Sequence, residues 1–259
     1  MVVCVVSAFY KIPSKNSLEE YLAWIDPFFK DMPFNLVLFT EPALAPTFKT
    51  MRQQWADRTL IIELPLRDFN AFKKWGEYTW VKALAQDHEI YTGTSHSPEL
   101  YATWYEKKEF ILRAIELKAF GADRFVWCDA GILRYPHWLP HIQRFPMEQF
   151  IPAGKMTLLQ MGDFQPDDTV DTVFRDVHRV GGGIQAADSE TWKWWSIQYD
   201  NMMVRYQLSN RFVGKDQNLM ASLCLLHPER IVLVPTHEKF NGHAKWFWLL
   251  FYLSGVAVN

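Results

Sequence analysis

The sequence predicts a single α/β domain built on a mixed, mostly parallel sheet flanked by helices. Three observations predict it. Short runs rich in Val, Ile, Leu and Phe recur at residues 2–6, 36–39, 60–64, 125–128, 156–161 and 231–234 of the 259-residue chain. Strands that are apolar on both faces are covered on both faces. Segments of helical spacing separate these runs, and strands alternating with helices are the pattern of α/β folds. Finally, no internal repeat or low-complexity linker interrupts the chain, whose length suits one large domain.

Taken in order, Val2-Val3-Cys4-Val5-Val6 reads as a central first strand, because β-branched residues suit a covered sheet. It leads into the loop Ser7-Ala8-Phe9-Tyr10-Lys11. Residues 17–29 have helical spacing through Leu18, Tyr21, Leu22, Ile25 and Phe29. Residues 36–39 form a second strand ended by Thr40, Glu41 and Pro42, and residues 60–64 a third, stopped by Pro65. Residues 66–100 show no clean period and read as helices and loops lying over the sheet. A helix follows over 102–120, with Gly121 as its stop.

Phe125-Val126-Trp127-Cys128 is the next buried strand, and Asp129 stands where it leaves the sheet. An aromatic and proline-rich connection spans 133–152. A strand over 156–161 and a glycine-led strand over 181–187 come next. Ser189 reads as the N-cap of a helix carrying Trp192, Trp195, Tyr199, Met202 and Tyr206. A last long helix starts near Asp216, and residues 231–234 close the sheet.

Composition narrows the function classes. Apolar residues make up 49% and charged residues 22%, which fits a globular chain. A formal net charge of −2 without a basic block excludes an electrostatic nucleic-acid footprint. The three cysteines, Cys4, Cys128 and Cys224, lie far apart in apolar surroundings and read as small buried hydrophobes. The apolar start lacks the charged region of a signal peptide, and the run at 246–253 is too short to span a bilayer. These features predict a cytoplasmic protein without a transmembrane segment, able to work beside a membrane.

Four places carry potential chemistry. Asp129 ends a strand, where open α/β sheets bind ligands; it reads either as a ligand for a metal or substrate or as an Asp capping a turn. Gly131, two residues on, permits backbone angles or close approaches that a Cβ forbids. Gly181-Gly182-Gly183 points to the same need, or to a tight turn; it is neither a phosphate-binding P-loop nor a dinucleotide loop. Asp216 reads as a helix cap or as an acid pointing into a cleft, able to accept a proton from a hydroxyl. His237 and His243 follow the last strand and could serve as a metal ligand or meet a phosphate. Asp129 plus one histidine suits Mg2+ or Mn2+ held mainly by a diphosphate. Lys107, Lys108 and Arg58 are candidates to neutralise a diphosphate, although Lys107 and Lys108 precede an apolar helix face and would ordinarily face solvent. Asp167, Asp168 and Asp171 read as a solvated loop.

The order and spacing of Val5-Val6-Ser7-Ala8-Phe9-Tyr10, Trp104-Tyr105-Glu106-Lys107-Lys108-Glu109-Phe110, Phe125-Val126-Trp127-Cys128-Asp129-Ala130-Gly131, Gly181-Gly182-Gly183-Ile184-Gln185-Ala186 and Lys215-Asp216-Gln217 resemble the HtrL/YibB-type family over most of the chain. More broadly they resemble GT-A-type glycosyltransferases. The resemblance implies a GT-A-like fold that takes a nucleotide-sugar donor and a glycan or other hydroxyl acceptor. Residues 1–135 would form the nucleotide-binding half and 136–259 the acceptor-binding half. Ala8, Phe9 and Tyr10 would hold base and ribose, and Gly182 and Gly183 would border donor sugar and acceptor. Asp129 would take the place of the Asp-x-Asp motif at the diphosphate and a weakly held Mn2+ or Mg2+, with His243 in the metal shell. Asp216, with Asp188 second, would be the catalytic base of an inverting transfer.

One departure stands out: Asp129-Ala130-Gly131 supplies one carboxylate where that motif has two. Two other classes stay open. A sugar-phosphate nucleotidyltransferase would be expected to carry a glycine-rich basic loop after the first strand, and residues 7–14 contain no glycine. A catalytically silent nucleotide- or sugar-binding protein would tolerate the missing carboxylate.

Overall fold

The computed structural model describes residues 2–14, 16–174 and 177–256. Among them, seven strands build one sheet: β1 (Val3–Phe9), β2 (Asn35–Thr40), β3 (Thr59–Glu63), β4 (Arg124–Cys128), β5 (Met156–Gln160), β6 (Val180–Asp188) and β7 (Ile231–Pro235). Their spatial order is β3-β2-β1-β4-β6-β5-β7. β6 alone runs against its neighbours, β4 and β5, and the remaining pairs are parallel. The mixed, mostly parallel sheet expected from the sequence is therefore present.

The chain lays β2 and β3 to one side of β1, then returns to set β4 on the other. This reversal makes the carboxyl ends of β1 and β4 a switch point, where open α/β sheets form a crevice. Two buried hydroxyls fix the strand exits there. Ser7 donates to the Cys128 carbonyl at 2.7 Å, and Thr40 donates to the Phe9 carbonyl at 2.8 Å. β1 runs three residues beyond the predicted strand, because Ser7, Ala8 and Phe9 still pair with β2.

Alternate strand residues point to opposite faces, and each face has its own core. Cys4, Val6, Phe125 and Trp127 pack with α3 (Asn70–Trp75), α4 (Glu77–Gln86), α5 (Pro98–Glu116), α6 (Ser189–Leu208) and α7 (Asp216–Leu226). Val5, Val126 and Cys128 pack on the other side with α1 (Leu18–Asp31), α2 (Ala45–Met51) and α8 (Trp248–Tyr252). All three cysteines are free and buried, as their apolar surroundings imply. No described helix is long and apolar enough to cross a membrane.

Several element ends differ from the sequence reading. α5 begins at Pro98, four residues early, because Ser97 caps it: its hydroxyl accepts from the Leu100 amide at 3.2 Å, and Pro98 fills the first turn. The helix stops at Glu116, ahead of Lys118 and Phe120 with positive φ. The N-cap of α6 is Asp188, not Ser189. Its Oδ1 accepts from the Thr191 amide at 2.7 Å and its Oδ2 from the Gly154 amide at 2.6 Å. Asp188 pairs with Arg124 at the amino end of β4, the edge of the sheet opposite the switch point, and does not line that crevice. Asp188→Ala is expected to cost about 1 kcal/mol and lower Tm by about 2–4 °C, measured by thermal unfolding.

Candidate functional site

A cleft of about 860 Å³ opens at the carboxyl ends of β1 and β4. The exit of β1 (Ala8, Phe9, Tyr10) forms one wall. The start of α1, the 92–96 loop and the exposed edge of α5 form others, and Gly182, Gly183, Asp216, Trp246 and Phe247 complete it.

Asp129 lies on its floor, for a reason of parity. Phe125 and Trp127 face α5, so the next residue of that series does too. The Asp129 amide still donates to the Gly183 carbonyl at 2.9 Å, which extends the strand geometry by one residue. Its Oδ1 accepts from the Trp127 indole N–H at 2.8 Å and lies 3.3 Å from the Lys107 ammonium. No protein donor occupies Oδ2 among the described residues, and 44% of the side-chain surface is open.

Lys107 is the hinge of the constellation. Only 4% exposed, its Nζ meets the Gly182 carbonyl at 2.9 Å, Asp216 Oδ2 at 3.0 Å and Asp129 Oδ1 at 3.3 Å. An ammonium has three donors, and all three are used. Burial alone disfavours its charge. The facing carboxylates of Asp129 and Asp216 overcome that effect and hold its pKa above the usual lysine range.

Within the triple glycine of β6, Gly182 makes room for the Asp216 carboxylate, while a Cβ on Gly181 would meet the Leu159 side chain at 3.0 Å. None of the three has a positive φ, so the requirement is close approach and not special backbone angles. A Cβ on Gly182 would stand 2.6 Å from Asp216 Oδ2, and one on Gly183 would stand 3.5 Å from Asp129 Oδ2. Gly131 carries no such constraint: its φ is ordinary, and a Cβ there would meet nothing closer than 3.8 Å.

Of the residues expected to act, Ala8, Phe9, Tyr10, Asp129, Gly131, Gly182, Gly183 and Asp216 all line the cleft. Tyr10 is nonetheless largely a core ring, packed on Phe69 and Phe110. Asp216 is the first residue of α7, with Lys215 as the N-cap position. Its Oδ1 accepts from the Gln217 amide at 2.8 Å and its Oδ2 from Lys107. Both oxygens are engaged, which makes it a firm anchor for Lys107.

Besides Asp188, three expected residues lie elsewhere. Arg58 donates to the Pro33 carbonyl at 2.9 Å from an exposed 3-10 turn ahead of β3. Lys108 turns away from the cleft, bonded to Tyr105 and Ser196 and paired with Asp200 at 3.1 Å. Both it and Lys107 are buried, not solvent-facing, because helices and the sheet cover α5 on several sides. His243 is exposed, with its ring edge against Phe247 at 5.3 Å, and does not line the cleft. Among the described residues no group of three His, Cys, Asp or Glu side chains is placed to hold a metal ion. The floor offers one open ligand oxygen, Asp129 Oδ2. The described donor set therefore does not fit a divalent ion held by protein ligands.

The sequence reading passed over two other cleft residues. His96 places Nδ1 2.6 Å from Asp87 Oδ2, a carboxylate that also accepts from the Tyr101 hydroxyl at 2.6 Å. Arg134 follows the Asp129 turn and lies over the rings of Trp24 and Tyr21. A lone histidine in a threonine- and serine-rich loop, or an arginine amid aromatics, carries no spacing signal that a sequence can show.

A solved structure shares this architecture. Mouse xyloside xylosyltransferase 1, in its apo form, superposes with a TM-score of 0.51 at 12% identity, covering 90% of this chain and 85% of that one. This likeness bears out the GT-A-like class of fold. A glycosyltransferase involved in glycosylation of the major capsid of PBCV-1 is a more distant match, at TM-score 0.42 and 10% identity, covering 91% and 82%. No curated protein sequence matches the chain. Residues 5–253 match the family described as "Bacterial protein of unknown function (HtrL_YibB)". The chain belongs to the HtrL/YibB family.

Proposed function

We propose that this protein is a glycosyltransferase, moving a sugar from a nucleotide-diphospho-sugar to a hydroxyl of a glycan or other acceptor. The observation that carries the reading is Asp129, with one open carboxylate oxygen on the floor of an 860 Å³ cleft at the β1/β4 switch point. The fold shared with a xylosyltransferase supports it.

In this reading the exit of β1, at Ala8, Phe9 and Tyr10, borders base and ribose. Asp129 faces the reacting end of the donor, where a carboxylate orients the sugar and stabilises positive charge developing at its anomeric carbon. Trp104 and Trp246 offer ring surface to the sugars from the cleft wall. Asp216 holds Lys107, and Lys107 in turn fixes the Asp129 carboxylate. No step is assigned to a metal ion. The engaged oxygens of Asp216 favour a second reading, a protein that binds nucleotide sugars without turning them over.

Incubation with UDP-, GDP- and dTDP-sugars, with and without Mn2+, separates the two. The transferase reading expects slow release of nucleoside diphosphate from at least one donor. Binding without release supports the silent protein, and neither binding nor release for any donor contradicts both.

A further inference from the structure

The floor of the cleft carries an unbalanced charge. Asp129 and Asp216 contribute two negative charges, and Lys107 returns one positive charge with all three of its N–H donors already engaged. A diphosphate arriving there adds further negative charge and finds no free donor on Lys107. Arg134 can supply what is missing. It lines the cleft and follows directly from the Asp129-Ala130-Gly131-Ile132 turn, which an Ile132 amide to Asp129 carbonyl bond closes at 3.0 Å. Its guanidinium lies 3.9 Å over the Trp24 ring and 6.0 Å from that of Tyr21. An atom placed at the Cβ position of Gly131 would be 3.8 Å from its terminal nitrogen, so the cation sits above that turn.

No hydrogen bond or ion pair reaches this guanidinium from the described residues, and its Nε is buried without a partner. Two buried cations among the described residues show the contrast: Arg52 is held by three carbonyls and Lys108 by Asp200. A partly buried, unpaired guanidinium is costly to desolvate. Stacking on aromatic rings holds it in place, and a planar fork of donors matches phosphate oxygens in pairs.

We propose that Arg134 is the diphosphate clamp of this site: it binds the phosphoryl oxygens of the nucleotide through its guanidinium, in the role the sequence reading gave to a divalent ion. The inference rests on the glycosyltransferase reading and names the cation that serves it.

Calorimetric titration of UDP, GDP and inorganic pyrophosphate, in EDTA and in Mn2+, tests this on wild-type protein, Arg134→Gln and Arg134→Lys. Uridine and guanosine serve as probes without phosphate, and thermal melts check the fold of each variant. The expected result is nucleoside diphosphate binding in EDTA that weakens on the order of tenfold to a hundredfold in Arg134→Gln. Arg134→Lys, which keeps the charge and loses the fork, should fall between, and the weak binding of the nucleosides should not change. If Arg134→Gln does not fold, an Arg134→Lys variant that binds as wild type overturns the proposal. Wild-type affinity in Arg134→Gln, or binding that requires Mn2+ and ignores residue 134, also overturns it and leaves the glycosyltransferase reading standing. No binding by wild type of UDP, GDP or dTDP titrated alongside them, in either buffer, removes that reading and the clamp with it.

Discussion

Lys107→Met is expected to destabilise the protein by about 3–5 kcal/mol, the cost of breaking a buried ion pair from one side, and to abolish donor turnover. The substitution leaves Asp216, 5% exposed, and Asp129 facing each other without the ammonium between them. It also frees the Gly182 carbonyl. Urea unfolding measures the loss. Adding Asp216→Asn to Lys107→Met should recover part of it, because the double variant carries one buried negative charge fewer, and contacting residues do not act additively. The sign of the pH dependence follows from the raised lysine pKa. The lysine's side of the ion pair is fully present below the ordinary value of 10.5 and is lost only as pH rises through the higher folded value, while burial raises the Asp129 pKa, so the carboxylate's side weakens as pH falls. The deficit should therefore be flat across the mildly alkaline range and shrink in acid. A loss below about 1 kcal/mol, the range of exposed pairs, would contradict the central place given to Lys107.

Gly182→Ala is the second large expected effect. The added methyl would lie 2.6 Å and 2.9 Å from the two Asp216 oxygens. That carboxylate cannot swing aside cheaply, since Lys107 and the Gln217 amide hold it. Overpacking of this kind costs about 1–3 kcal/mol. Here it also displaces the anchor of Lys107, so turnover should fall with stability. Gly131→Ala is the control for stability: with ordinary φ and open space around the new methyl, it should shift unfolding by no more than about 0.5 kcal/mol. Equal destabilisation by the two variants would show that Gly182 serves the backbone and not the Asp216 carboxylate.

Much of this arrangement was legible before the structure. Six apolar runs and the glycine-led segment marked all seven strands, and the abrupt Cys128-Asp129 boundary marked a strand exit, because a buried strand ending in a carboxylate is a local signal. The glycine triplet marked a close approach without naming what approached. That identity depends on α7 delivering Asp216 from more than thirty residues away, a tertiary fact. Lys107 was misread as solvent-facing for a physical reason. α5 buries Glu106, Lys107 and Lys108 in succession, each with a partner on a different element: the amides of Asn70 and Ala71, then Asp129 and Asp216, then Asp200. A helix covered on several sides shows no polar stripe, so its charges look like surface charges in sequence. Asp188, second to Asp216 as a possible base, is carried to the far edge of the sheet by the antiparallel course of β6, a pairing that no local signal reveals. Arg134 carried no signal, since stacking on Trp24 is a contact between distant segments.

The most direct test of the donor site is nucleoside diphosphate release from nucleotide sugars by wild type and by Asp129→Asn. Asparagine keeps the size of the side chain and an oxygen for the Trp127 and Lys107 bonds, while removing the charge. The account predicts release by wild type, background rates in Asp129→Asn, and superimposable circular dichroism for the two. Release by Asp129→Asn at the wild-type rate would contradict it.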